Sequence, residues 1–257
     1  MSFKVAASDF DGTLFRDRKI SAEDVAAISA WRASGNKFGI VTGRPLMMLT
    51  PCLQTFGVDV DFAVCCNGAI IHGGDGRIVF EAELPKKILA AIVSEPSVST
   101  TLHFLFEAAD EMFCLGLNPT SWVIGERMQL NFPLEVIDAA QINSLPPINQ
   151  LALGFITPDE AELAAEALNR KFPAISAQRN FNSVDIVPAA INKAQGVENL
   201  LRLMNWRGEV HVIGDEANDL PMIKTFSGCT VSGAKDFVKR EARAVFDSVG
   251  DMLKNFS

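Results

Sequence analysis

The sequence predicts an α/β protein: a Rossmann-like parallel sheet with helices on both faces, carrying an inserted α+β domain. Three observations predict it. Short apolar runs alternate with segments of helical period from the start of the chain to about Cys66. From about Ile70 to Val187 the pattern turns mixed. After Pro188 the alternation resumes. Strand–helix–strand repetition is the signature of parallel strands joined by right-handed crossovers, so the first and last thirds should share one sheet.

Phe3–Ser8 is a run of apolar and small residues, read as a buried strand. Ser21–Ser34 follows, with Ser21 placed to cap a helix, acids in its first turn and Val25, Ala27, Ile28 and Trp31 at helical spacing; Gly35 marks the stop. Lys37–Val41 is the next strand. Thr42-Gly43-Arg44-Pro45 is expected to start a second helix, and Phe62–Cys66 is a third strand. Ile70–Glu83 reads as two strands joined by a Gly-Gly-Asp-Gly turn, an antiparallel hairpin.

In the middle third the expected helices are Pro85–Ser94 and Asp159–Lys171. The expected strands are Thr101–Phe106, Met112–Leu117, Leu151–Phe155 and Ser183–Val187. Beyond it come an amphipathic helix at Lys193–Met204, a strand at Glu209–Ile213 and a short helix at Asp219–Thr225. Ser227–Val231, a helix through Val238–Ala242 and a strand–helix pair around Ala244–Phe256 follow. This gives a core of residues 1–82 and 188–257 with an inserted domain of residues 83–187.

The 257 residues carry 23 basic and 31 acidic side chains, a net charge of −8, with no Lys/Arg-rich run. That excludes the footprint of a nucleic-acid binder. No stretch approaches the ~20 apolar residues of a membrane span, and the opening residues lack a signal-peptide layout. Five cysteines, odd in number and without a Cys-x-x-Cys pair, read as buried thiols of a reducing compartment. A cytoplasmic protein is the expectation. The three histidines are scattered, which argues against a histidine metal site.

Four segments carry chemistry. Asp9-Phe10-Asp11-Gly12-Thr13 ends the first strand with two carboxylates spaced i, i+2 and a glycine for a sharp turn. Carboxyl ends of parallel strands are where ligands bind, and two acids there need a cation, a proton or a basic neighbour. Oxygen ligands of this kind suit Mg2+, although an acidic turn alone would look the same. Thr42-Gly43-Arg44 ends the second strand and offers a hydroxyl, an unobstructed N–H and a helix start to an anion. Lys193 opens a helix, where a cation is mildly unfavourable without another purpose. Gly214-Asp215-Glu216-Ala217-Asn218-Asp219 crowds three acids at another strand's end, which calls for a cation among them.

With these four in order, the sequence resembles the haloacid dehalogenase superfamily, in its Cof-type branch, where a large α/β cap lies between the second and third motifs. DFDGT and GDEANDLPMI carry the likeness, and AVCCNGAII resembles that branch's Asn-Gly-Ala segment before the cap. The resemblance implies a phosphatase in which Asp9 attacks phosphorus and Asp11 serves as acid, then base. It implies Mg2+ held by Asp9, the Asp11 carbonyl and Asp215, with Asp219 ligating through water or steadying the shell. It further implies that Thr42, Gly43, Lys193 and Asn218 bind phosphoryl oxygens, with Arg44 at the substrate or cap. Asp11 argues against the superfamily's dehalogenases.

The expected substrate is a small phosphorylated metabolite, a sugar phosphate or similar ester. The alternatives are a phosphomutase of the same superfamily and a non-catalytic module that merely accepts phosphate on Asp9. A cap that excludes water is expected, and substrate choice should reside in it. Arg179, Asn180, Asn182 and Asp185 either reach the cleft or are ordinary strand and loop residues.

Overall fold

A computed structural model describes residues 3–257. The two residues before Phe3, which open the stretch read above for a signal-peptide layout, lie outside the described residues. In chain order the elements begin β1 (Lys4–Ser8), α1 (Ala22–Ala33), β2 (Lys37–Val41), α2 (Leu46–Phe56), β3 (Phe62–Cys65), β4 (Ile70–Gly73) and β5 (Ile78–Glu81). The middle of the chain forms α3 (Lys86–Val93), β6 (His103–Glu107), β7 (Met112–Leu115), α4 (Trp122–Leu130), β8 (Glu135–Val136), β9 (Gln150–Gly154), α5 (Pro158–Lys171), β10 (Ile175–Asn180) and β11 (Ser183–Pro188). It closes with α6 (Lys193–Leu203), β12 (Glu209–Gly214), α7 (Leu220–Thr225), β13 (Cys229–Val231), α8 (Asp236–Glu241), β14 (Ala244–Phe246) and α9 (Val249–Asn255).

Two sheets result, and the chain divides into two compact units. The first comprises residues 3–44, 49–80 and 192–257 as described, and the second residues 45–48 and 81–191. The eight-stranded sheet has the order β14-β13-β12-β1-β2-β3-β4-β5, parallel from β14 to β3 and antiparallel between β3 and β4. The first and last thirds do share it. β1 is central: the chain leaves it toward β2 on one side, and β12 flanks the other. That is the switch point at which ligands bind in open α/β sheets.

Both faces of this sheet are covered, because strand side chains alternate. Val5 and Ala7 join Val212, Val41 and Val64 in a core with Val197 and Leu200 of α6 and Met222 of α7. On the other face His211 stacks on Phe256 at 4.2 Å and meets Trp31 of α1 edge-on. The Ser21 cap of α1 is present: its hydroxyl accepts from the Asp24 N–H at 3.0 Å.

The second unit is built on a six-stranded sheet, β10-β11-β9-β6-β7-β8, antiparallel except for the β7–β8 pair. Leu151, Leu153, Val184 and Ile186 pack against Ala161, Ala164 and Leu168 of α5 and Leu89 and Ile92 of α3. Thr157 and Glu160 form a reciprocal capping box at the start of α5.

Two sequence expectations need correction. The second helix starts at Leu46, after a bend at residues 42–45, so Thr42-Gly43-Arg44 is a turn and not a helix N-terminus. Pro45 disfavours helical backbone at Arg44. The third strand ends at Cys65, because Cys66 and Asn67 adopt positive φ of 49° and 52°. The sequence offers no expectation for β8, β10 or α4. Four of the six residues of β10 are polar (ISAQRN), and α4 carries Gly125 within it, although its ends are marked by Ser121 as cap and Asn131 in the left-handed region.

Candidate functional site

All of the predicted core-site residues fall in the first unit, on the loops that leave β1, β2 and β12 or at the start of α6. Asp9 directly follows β1, and its N–H donates to the Ile213 carbonyl at 2.9 Å. The loop then doubles back: the N–H groups of Leu14 and Phe15 both donate to the Phe10 carbonyl. Gly12 sits at φ +86°, and a Cβ there would come within 2.4 Å of an Asp215 carboxylate oxygen. Glycine is therefore required both by the turn and by the close approach. Thr13 is fully buried and donates from Oγ1 to Asp215 at 2.6 Å.

Lys193 is the hub. Its Nζ donates to Asp9 Oδ1 and to Asp219 Oδ1, both at 2.6 Å, and the side chain is 2 % exposed. The helix that carries it is capped by Asn192, whose side chain accepts from the Gln195 N–H at 3.0 Å. Gly68, at φ +104°, lets the loop after β3 lie against the Asn192 carbonyl, where a Cβ would come within 2.4 Å. This close contact brings the start of α6 to the ends of the strands. The cation that looked out of place in a first helical turn is held by two buried carboxylates.

Asp219 is fully buried, and its second oxygen accepts from the N–H groups of Asp215 and Glu216 at 2.9 and 3.0 Å. Asn218 donates from Nδ2 to Asn67 Oδ1 at 3.1 Å. Thr42 receives the Arg44 N–H on its hydroxyl at 3.1 Å, and its carbonyl accepts from the Asn67 N–H. Arg44 places its guanidinium on the Asp11 carboxylate, with Nε and Nη2 donating at 2.7 and 2.8 Å. Gly43 lies in the bend between Thr42 and Arg44.

Asp9, Asp215 and Asp219 each offer an oxygen within 4.8 Å of the others, the group among the described residues suited to a metal. The Asp11 side chain lies outside this set. Three carboxylates thus face one ammonium, which leaves negative charge unbalanced. Burial raises the Asp9 pKa well above the ordinary carboxylate range, and the neighbouring Asp219 raises it further. Burial likewise pushes Asp215 up to about 6, against the lowering effect of the Thr13 hydrogen bond. Burial works against the charge on Lys193, but Asp219 and Asp9 outweigh it and hold the ammonium above its usual value. Clustered carboxylate oxygens, short of positive charge, fit a hard divalent cation such as Mg2+.

Sequence reasoning gave no role to Asn67 or to the Thr13 hydroxyl. Asn67 was visible only as part of the Asn-Gly-Ala segment; its positive φ and its grip on Asn218 were not. The histidines lie apart. In the second unit, His103 shares a 2.8 Å hydrogen bond with Ser121, and burial pushes its pKa down to about 4. Arg179 pairs with Glu162, and Asn182 donates to the Phe155 carbonyl, so both serve their own unit's structure. Asn180 closes β10 opposite Ser183, and Asp185 lies within β11, buried.

A family model for haloacid dehalogenase-like hydrolases matches residues 6–251. The chain belongs to that family. It is an enzyme, a phosphatase of the Cof type. Over its full length it is 26 % identical to the pyridoxal phosphate phosphatase YbhA of Escherichia coli, 98 % of which is covered. It is 23 % identical to the 5-amino-6-(5-phospho-D-ribitylamino)uracil phosphatase YbjI of the same organism, over 87 % of this chain and 83 % of that one. Among solved structures, the subclass IIB sugar phosphatase BT4131 superposes with a TM-score of 0.83 at 22 % identity, covering 98 % of each chain. A haloacid dehalogenase-like hydrolase from Bacillus subtilis reaches 0.85 at 18 %, over 98 % of this chain and 99 % of that one. The two structures share the fold. No helix among the described residues is long and apolar enough to cross a membrane.

Proposed function

We propose that this chain is a magnesium-dependent phosphatase that hydrolyses the monoester of a small phosphorylated metabolite, a sugar phosphate or similar ester, through phosphorylation of Asp9. The observation that carries this is the buried Lys193 between Asp9 and Asp219, with Asp215 beside them. Lys193 occupies Oδ1 of Asp9, which leaves the second carboxylate oxygen to form the bond to phosphorus. As that bond forms, the bond from phosphorus to the ester oxygen breaks, and Asp11 delivers a proton to the departing oxygen. Water then attacks phosphorus, gives its proton to Asp11 and displaces the Asp9 carboxylate.

Phosphoryl transfer depends chiefly on positioning and on neutralising the equatorial oxygens. Lys193, the Thr42 hydroxyl, the Gly43 N–H and the Asn218 amide, oriented by Asn67, serve that end. Mg2+ would be held by the carboxylates of Asp9 and Asp215 and the Asp11 carbonyl. Asp219, with both oxygens engaged by Lys193 and backbone N–H groups, acts through water or by fixing the others. Bound there, the ion supplies the positive charge that the three carboxylates lack.

Residues 83–187 are proposed as the cap that chooses the substrate. The named substrates of the two Escherichia coli relatives, pyridoxal phosphate and a phosphoribitylamino-uracil, support a small phosphorylated metabolite here. The five cysteines, all buried and none in a disulfide, suit a cytoplasmic location.

The test is Asp9→Asn. Phosphate release from an aryl phosphate with saturating Mg2+ should fall by at least about a thousandfold, with the circular dichroism spectrum unchanged. A variant that turns over normally removes Asp9 as nucleophile. EDTA should silence the wild type.

A further inference from the structure

Asp11 ends in a carboxylate about half exposed to solvent, on a loop, and its side-chain hydrogen bonds go to one residue. Left to itself, such a side chain samples several rotamers. Arg44 removes that freedom. Its Nε and Nη2 reach the two Asp11 oxygens at 2.7 and 2.8 Å, the planar two-point match that arginine makes with a carboxylate and lysine cannot.

Arg44 is itself firmly held. Its N–H donates to the Thr42 hydroxyl at 3.1 Å, and its carbonyl accepts from the Cys66 N–H at 3.2 Å. Its guanidinium carbon lies 5.6 Å from the centroid of the Phe10 ring, which stacks on Phe15 at 5.1 Å with a 4° tilt. The Arg44 side chain is only 17 % exposed, unlike the Arg77–Asp75 pair, where both partners are mostly in solvent. An arginine that grips a substrate phosphate presents two adjacent N–H groups, and here the Nε–Nη2 edge belongs to Asp11.

We infer that Arg44 is the positioning residue for Asp11: its guanidinium fork, braced on Phe10 and Thr42, sets where the Asp11 carboxylate stands toward the leaving group. This rests on the reading of Asp11 as proton donor given above, and the experiment separates the two. The donor matters most when the departing oxygen is a poor leaving group. An alkyl phosphate needs its proton; a p-nitrophenyl phosphate scarcely does. Because kcat/KM covers the steps up to departure of that group, the comparison is made on kcat/KM for both substrates with saturating Mg2+.

Arg44→Ala should reduce kcat/KM for an alkyl phosphate at least about tenfold more than for p-nitrophenyl phosphate, a fraction of the 10²–10⁴ that a proton donor supplies. Arg44→Lys, which keeps the charge without the fork, should show the same selectivity in weaker form, and it decides the matter if the alanine variant does not fold. Combined with Asp11→Asn, Arg44→Ala should add no further selectivity, as expected of residues on one path. Equal losses on both substrates, with weaker inhibition by inorganic phosphate, would overturn the inference and make Arg44 a phosphate ligand. A wild-type substrate ratio in Arg44→Lys and Arg44→Ala overturns it as well. If Asp11→Asn is selective and the Arg44 variants are not, only the positioning role falls; if Asp11→Asn is unselective, the donor reading falls and takes this one with it.

Discussion

At the amino ends of β2 and β3, Asp61 accepts hydrogen bonds from Arg32 at 2.9 Å, from Lys37 at 3.2 Å and from the Phe38 N–H at 3.1 Å. At the carboxyl ends of the same sheet, Lys193 lies between Asp9 and Asp219, with Asp215 close by. Both clusters join a loop to the sheet by charge, with different stoichiometry. At the amino end two cations face the partly buried Asp61 and the exposed Asp59, which pairs with Arg32 at 3.7 Å, so charges balance. At the carboxyl end three acids face one cation. Burial opposes the Asp61 charge, but the bonds from Arg32, Phe38 and Lys37 prevail and hold its carboxyl below the ordinary range. Asp9 is driven the other way. The difference teaches that the amino-end cluster is complete as it stands, whereas the carboxyl-end cluster calls for a further positive charge.

The sharpest way to break that comparison is Lys193→Met. Removing the one cation leaves Asp9 and Asp219 buried without a counter-charge, and breaking a buried pair from one side costs about 3–5 kcal/mol. Urea unfolding in EDTA should show that loss. A variant as stable as the wild type would mean that the carboxylates are protonated or solvated in place.

Next in size is the response to metal. Mg2+ at a hundredfold excess over its Kd should stabilise the protein by about 2.7 kcal/mol. Asp215→Asn should erase most of this and Asp61→Asn should keep it, as read by thermal unfolding with and without the ion. Equal responses in the two variants would show that the ion is bound elsewhere.

The smallest expected effect is on Asp61 itself. Asp61→Asn should cost about 1–2 kcal/mol and leave turnover unchanged. Because the folded pKa is depressed, the stability Asp61 gives is fully present above its unfolded pKa, near 3.9. It is lost as pH falls through the lower, folded value. The gap between wild type and Asp61→Asn should therefore close in acid. A gap that persists there would assign the effect to packing.

The same contrast explains what could be read from the sequence. Asp9, Thr42 and Asp215 were legible because each directly follows a strand whose apolar run announces it, and position after a parallel strand carries meaning. Asp61 had no such marker. Its partners lie 29 and 24 residues away, and pairings at that distance leave no local pattern. Lys193 was found by its place at a helix start, but its burial and its two carboxylate partners, Asp9 and Asp219, were not. The Arg44–Asp11 fork was invisible for the same reason, and Arg44 was read toward substrate or cap. The parallel sheet was legible throughout, since both faces are covered and its strands are mostly apolar and small residues. β10, with four of its six side chains only partly buried, offered no such run.

The chain leaves the eight-stranded sheet after β5 and re-enters it only at β12, and every strand in between belongs to the other sheet. Heredity can exploit such a layout. The stretch between the two can lengthen, shorten or be exchanged by recombination without shifting the register of β1, β2 and β12, which present Asp9, Thr42 and Asp215. With residues 83–187 choosing the substrate, as proposed above, a lineage built this way would inherit its reaction and its taste in substrates as separate traits, free to drift at different rates.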